Sequence, residues 1–261
     1  MCALNTTYEY RGLMALYWDL LRGDTRKWPD RAFFRWVIRK SGQPVLDVGC
    51  GTGRLLLEYL GRGIAIEGVD VSPEMLVLCR RKAEERGLNP VLYEGAMETL
   101  DLPQRYRTIL VPSSSFQLVT DPDLARESLR RFWKHLQPGG TLALPVMDLD
   151  KEDHTGEWTL AAESLDEQAG VQVRRWARTT YDPTTRLEST EDRYELVRDG
   201  VVVKTEHHSR SPATRSYTLA EAIAILRETG YTAIRAYSGF SSRPATIADR
   251  LFCLLAERPW V

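Results

Sequence analysis

The sequence predicts an α/β fold: a seven-stranded, mostly parallel sheet with helices on both faces, an N-terminal helical cap and an inserted antiparallel β lid. Three observations carry this. From residue 43 onward, short apolar runs alternate with segments of helical period, the pattern of βαβ units. One run, "PVLDVGCGTGRLLLEYL" from Pro44 to Leu60, ends in an acidic residue, passes three glycines at alternate positions and resumes at once as a helix. Between about residues 148 and 216 the period shortens to two, as in strands joined by tight turns.

In chain order, "YEYRGLMALYWDLL" and "WPDRAFFRWVIRK" read as two aromatic-rich helices broken near Gly23 and Pro29, and residues 1–40 form the cap. Residues 41–147 form the core. Ser72 before Pro73 and Asp121 before Pro122 are N-caps with proline at the first helical position. Pro138-Gly139-Gly140 stops the helix ending near Leu136 before the fifth strand. In the lid, residues 148–215, "VQVRRWARTTYD", "RLESTEDRYELV" and "VVVKTEHHSR" are strands turning at Asp182-Pro183 and Asp199-Gly200. Residues 216–261 return to the core: Thr218 and Glu221 make a capping box for "LAEAIAILRETG", and the strands "TAIRAYSGF" and "RLFCLLAER" follow.

The 261 residues suffice for one large domain with an insertion. Lys plus Arg number 35 against 36 acidic residues, so no global field draws the chain to nucleic acid or an anionic membrane. A small-molecule partner is expected. Cys2, Cys50, Cys79 and Cys253 lack C-x-x-C spacing, which favours a reducing compartment. No apolar run reaches about 18 residues and no signal-like segment opens the chain, so the expectation is a cytoplasmic protein without a membrane span.

The turn Gly49-Cys50-Gly51-Thr52-Gly53 lies between a buried strand and a helix, where backbone approaches a ligand and amides face outward. A dinucleotide fingerprint needs Gly or Ala at its sixth position, and counting from Gly49 that position is Arg54, which disfavours an NAD(P)-dependent oxidoreductase. The turn instead matches G-x-G-x-G, with Asp47 two residues ahead. Here the chain resembles the class I S-adenosylmethionine-dependent methyltransferases, whose core is Rossmann-like. "IEGVDVSPEML", "YEGAMETLDLP" and "HLQPGGTL" are similar to that family's segments after the second strand, after the third and before the fifth.

The resemblance implies S-adenosylmethionine as cofactor and S-adenosylhomocysteine as product. It places the cofactor at Asp47, Gly49, Cys50, Gly51 and Gly53, with Asp70 on the ribose hydroxyls and Val71 and Met75 beside the nucleoside. Ala96 and Met97 flank the adenine edge, and Pro112 closes the site. The family often has Asp where this chain has Ala96, so backbone at Ala96 and Met97, or Glu98, would substitute. Tyr17 and Trp18, where the family commonly has a Tyr-Tyr-Asp or Tyr-Asp run, would close over the cofactor or staple the cap.

Methyl transfer from a sulfonium is an in-line displacement needing proximity, alignment and exclusion of water, with a base only for a protonated nucleophile. Catalytic residues are therefore weakly marked in sequence. "VPSSSFQL" stands where amino-methylating nucleic-acid enzymes carry Asn/Asp-Pro-Pro-Tyr/Phe, which argues against nucleic acid. The lid resembles that of small-molecule methyltransferases, including amino-sugar N-methyltransferases, and implies transfer to N or O of a metabolite. A homodimer is compatible with it. The alternatives are the oxidoreductase and a non-catalytic S-adenosylmethionine-binding protein.

His207 and His208 are adjacent on a strand, so one faces inward and either could act as base. Ser113, Ser114, Arg215 and Tyr217 are candidates for the acceptor, and Arg210, Trp176, Tyr181 and Tyr194 lie in the same lid. Asp148, Asp150, Asp153 and His154 could hold a divalent metal, but such a run is more often a solvated loop, and no metal is expected.

Overall fold

The computed structural model describes residues 10–151 and 156–260. Its centre is a seven-stranded sheet built from β1 (Val45–Val48), β2 (Ile66–Asp70), β3 (Leu92–Glu94), β4 (Tyr106–Leu110), β5 (Leu136–Met147), β10 (Thr232–Ser238) and β11 (Leu251–Glu257). The strand order is β3-β2-β1-β4-β5-β11-β10; β11 runs antiparallel to both neighbours and the other pairs are parallel. The order reverses between β1 and β4, and the carboxyl ends of these two strands open the crevice where such sheets take ligands.

Helices cover both faces because the central strands are apolar on both sides. Val45 of β1 packs with Phe33, Phe34, Val37 and Ile38 of α3 (Pro29–Ser41), Leu56 and Leu57 of α4 (Leu56–Leu60) and Leu76 and Cys79 of α5 (Pro73–Glu84). Leu46, one residue on, points the other way. It joins Leu129 and Phe132 of α6 (Pro122–His135) and Leu226 of α7 (Leu219–Glu228). The caps act as expected: Ser72 accepts from Met75 N–H, Asp121 from the N–H groups of Asp123 and Leu124, and Thr218 with Glu221 closes a capping box.

Three elements differ from the sequence expectation. The first cap helix is two short ones, α1 (Gly12–Leu16) and α2 (Trp18–Arg22), broken at Tyr17. Helix α6 ends at His135 and β5 begins at Leu136, so Pro138-Gly139-Gly140 falls inside the strand, where pairing to β4 slips between Tyr106 and Thr108. The lid has four strands, not three: β6 (Thr159–Asp166), β7 (Val171–Asp182), β8 (Leu187–Arg198) and β9 (Val201–Arg215), paired antiparallel in that order. "TLAAESLD" of β6 is largely exposed and carries little alternation; pairing with β7 makes it a strand.

Cap and lid meet in a third apolar cluster, where Leu13, Met14 and Tyr17 pack against Val171, Val173 and Tyr194. Leu13 N–H donates to Glu206 Oε1 of β9 at 2.9 Å, and Glu206 Oε1 also meets His208 Nε2 at 2.8 Å. Both pieces thereby close over the open end of β1 and β4. No described helix is long and apolar enough to cross a membrane.

Candidate functional site

A cavity of about 650 Å³ lies under the cap and lid at the β1/β4 crevice. Its floor is Asp47, Gly49, Cys50 and Gly51 at the end of β1, Asp70, Val71 and Met75 after β2, Gly95 to Glu98 after β3, and Pro112, Ser113 and Ser115 after β4. Its roof is Tyr10, Trp18 and Arg22 of the cap and Ala162, Arg175, Tyr194 and Arg210 of the lid.

The glycine turn is shaped by two requirements. Gly51 has φ +54° and open space where a Cβ would stand, so the backbone itself faces the cavity. At Gly53, φ +82°, a Cβ would come within 2.6 Å of Cys79 Sγ and 2.8 Å of Leu57; this glycine serves helix packing and does not line the cavity.

Two carboxylates dominate the floor. Asp70 accepts from Gly51 N–H at 2.7 Å and Ser72 N–H at 2.9 Å, which locks its orientation and leaves acceptor capacity on both oxygens. Burial raises its pKa against the pull of those N–H groups. Asp47 is 1% exposed, and its Oδ1 is buried with no hydrogen-bond partner among the described residues. Burial pushes its pKa up to about 7, although Arg54 and the Leu56 N–H favour the charged form. A buried acceptor facing a cavity calls for a cationic donor, and an acceptor fork at the tip of β2 calls for a diol.

The cap is tied to this floor. Asp19 accepts from Thr52 Oγ1 at 2.8 Å and from Lys82 Nζ at 2.7 Å, linking α2 to the glycine turn and to α5. Arg22 lies over the rings of Trp18 and Trp28, at 5.0 and 4.8 Å from their centroids. Arg54 is held by Asp30 of α3, filling with an ion pair the position where a dinucleotide site needs a small residue.

Of the expected cofactor residues, Trp18, Asp47, Gly49, Cys50, Gly51, Asp70, Val71, Met75, Ala96, Met97 and Pro112 line this cavity, and Tyr17 and Gly53 do not. Tyr17 is buried in the cap–lid cluster with its phenol reaching Asp166, because the α1/α2 break turns it away from the floor. Among the acceptor candidates Ser113 lines the cavity; Ser114, Arg215 and Tyr217 do not. Ser113 and Ser114 are consecutive left-handed residues, φ +57° and +56°, in the turn leaving β4. Tyr217 packs on Phe116 in the core, Arg215 lies over the Tyr217 ring, and the Arg215 carbonyl accepts from buried Gln117.

The histidines divide as the strand alternation requires. His207 is exposed; His208 is buried against Tyr194 and Glu206, and neither lines the cavity. Trp176 donates to Glu195 on the lid's other face, and Tyr181 is also off the cavity wall. Asp148 is taken up by Arg186 and Ser216, and Asp153 and His154 fall outside the described residues. Among the described residues no group of three ligand-type side chains is placed to hold a metal.

Tyr10, Arg22, Thr52, Ala162 and Arg175 entered the cavity or its ties unannounced. The two tryptophans around Arg22 were the visible signal. The lid residues are brought in only by the way the inserted sheet docks on the cap.

Strand order, glycine turn and the two carboxylates at the ends of β1 and β2 are the features on which the chain resembles the class I S-adenosylmethionine-dependent methyltransferases. Residues 45–140 match the family described as a methyltransferase domain, so the chain carries a methyltransferase domain over that stretch. A Geobacillus protein (strain WCH70), named as a methyltransferase, is 24% identical over 215 residues, covering 82% of this chain and 84% of that one. The dTDP-3-amino-3,6-dideoxy-alpha-D-glucopyranose N,N-dimethyltransferase of Streptomyces fradiae is 30% identical over 141 residues, covering 52% of this chain and 54% of that protein. The match spans about half the length of several other curated relatives. In fold it is similar to the sugar N-methyltransferase KedS8 of Streptoalloteichus, with TM-score 0.73, 19% identity and 99% of both chains covered.

The residues present fit the donor of this class. The orphaned Asp47 oxygen suits its ammonium, the half-buried Gly51 backbone, open to the cavity, its aminoacyl chain, and the oriented Asp70 fork its ribose diol.

Proposed function

We propose that the chain methylates a nitrogen of a small metabolite, with S-adenosylmethionine held at Asp47, Gly49, Cys50, Gly51, Asp70, Val71, Met75, Ala96 and Met97. The observation that carries the small acceptor is the roof. The cap and the four-stranded lid close over one cavity of about 650 Å³ that donor and acceptor must share, within the range of small-molecule sites. The near-balanced charge, 35 basic against 36 acidic residues, supports the same reading over a nucleic-acid substrate.

When bound, the cofactor supplies a methyl group on a sulfonium that an incoming lone pair displaces in line. The chain's part is to hold and exclude. Asp70 and the glycine turn fix the nucleoside and aminoacyl ends, Trp18, Tyr10 and Tyr194 roof the reacting space with rings, and Pro112 and Ser113 bound the side from which the acceptor enters. With both histidines off the cavity wall, an amine in its neutral form suits the site better than a hydroxyl that needs a base. Relatives named as glycine/sarcosine and amino-sugar N-methyltransferases support this choice.

The test is a metabolite-extract assay with labelled donor, followed by mass spectrometry of the product. An N-methylated small molecule is the expected outcome. Label confined to macromolecules, or to oxygen, overturns the reading.

A further inference from the structure

We propose that Arg210 anchors an anionic group, a phosphate ester or a carboxylate, carried by the methyl acceptor. The inference rests on the cavity being shared by donor and acceptor, and it begins with an irregularity of the lid. Strand β9 pairs with β8 as far as Thr190↔Arg210 and resumes only at Glu188↔Thr214, so residues 211–213 bulge opposite the single Ser189. The Ser189 and Ser211 hydroxyls, 2.8 Å apart, pin that bulge. A bulge turns its strand and re-aims the side chains beside it. Arg210, at its start, enters the cavity wall.

There the guanidinium donates from Nη2 to the Leu118 carbonyl at 2.7 Å. That uses one of five N–H donors, and no carboxylate pairs with it among the described residues. Leu118 belongs to the turn after β4, so Arg210 stands on the β4 side of the crevice, across from Asp70, Val71 and Met75. The carboxylate lining that end of the cavity, Asp121, is engaged as the N-cap of α6.

The other cavity arginines are already matched. Arg54 pairs with Asp30, Arg175 with Asp192 at 2.8 Å, and Arg22, in the helix that Asp19 ties to the glycine turn, lies on the rings of Trp18 and Trp28, at the end where the donor's own carboxylate would lie. A half-buried guanidinium with spare donors and no counter-charge, on the acceptor's side, is built for an anion.

The test titrates the S-adenosylhomocysteine-loaded protein by calorimetry with three matched probes: phenyl phosphate, benzoate and neutral benzyl alcohol. At least one anion should bind tenfold or more tightly than the alcohol, and the one that does identifies the group. Arg210→Met should erase that preference while leaving S-adenosylhomocysteine affinity within twofold, and Arg210→Lys should keep part of it. Anions no tighter than the alcohol, or a preference that survives in Arg210→Met, would overturn the assignment. An Arg210 that only ties lid to turn would lower the melting temperature of both variants and leave the preference unchanged. Failure of S-adenosylhomocysteine to bind at all, seen before any probe is added, would instead bring down the donor reading and this inference with it.

Discussion

The two floor carboxylates have opposite relations to protein and ligand, and each makes its own prediction. Asp70 is already held by two backbone N–H groups, so its remaining acceptor capacity is preorganised. Asp70→Ala should weaken S-adenosylhomocysteine binding by about 1–3 kcal/mol, read by calorimetry. Asp47 has a pKa of about 7 through burial, against an ordinary value of 3.8. Its unfolded form is ionised across that interval while its folded form holds a proton. The ligand-free protein should therefore lose stability as pH rises from about 4 to 7, with no further loss from this group above it. A bound ammonium reverses the preference, so donor binding near pH 6 should release a proton, measurable as buffer-dependent heat. Asp47→Asn should remove both the stability slope and the proton release while weakening donor binding. The histidines make a contrasting pair: His207→Ala should leave stability and turnover near wild type, whereas His208→Ala removes one of the two partners of Glu206 Oε1 and should cost about 1–3 kcal/mol in urea melts.

Helix α3 of the cap packs on the sheet itself, whereas helices α1 and α2 and the lid stand over the sheet's open end, and a few polar ties decide how tightly they close. The cap is tied to the glycine turn through Asp19 with Thr52 and Lys82, and to the lid through Leu13 N–H and Glu206. Of these bonds, that to Thr52 lies one residue from the Gly51–Asp70 contact, and together they fix the helix that carries Trp18 and Arg22. Asp19→Ala should speed donor dissociation several-fold in stopped-flow displacement with little change in the core's unfolding midpoint, because the sheet clusters do not include it. Equal dissociation rates would mean that the cap is held by its apolar packing alone. Within the lid, the row Ala162, Arg175 and Tyr194 is one cross-strand line on a single face, and the pleat sends Trp176 and Arg193 to the other. The alternation of "VQVRRWARTTYD" already separated those two sets. It did not say which one faces the cavity.

For the whole molecule, a ligand at about a hundred times its dissociation constant adds about 2.7 kcal/mol to the folded state, several degrees in melting temperature for a chain of this size. S-adenosylmethionine and S-adenosylhomocysteine should each give that shift and NADH none, and a shift with NADH would show that Arg54 does not bar a dinucleotide. The core was legible because its signals are local. Asp47 and the glycines sit within one strand-turn-helix, Ser72-Pro73 and Asp121-Pro122 cap their helices from adjacent residues, and apolar runs such as "PVLDV" and "TLALPV" can only be buried strands. Periodicity and turn chemistry operate over a few residues, so one chain determined the order of elements, the glycine turn and the place of the lid. What only the tertiary structure decided depends on contacts between distant segments. Tyr17 went to the lid and Trp18 to the cavity because a helix broke between them. His208 was buried against Glu206 instead of facing the acceptor, and a bulge opposite Ser189 set Arg210 against Leu118, 92 residues away in sequence. No local pattern encodes those choices, because each is settled by how two separately legible pieces dock and by which polar groups are then left to be satisfied.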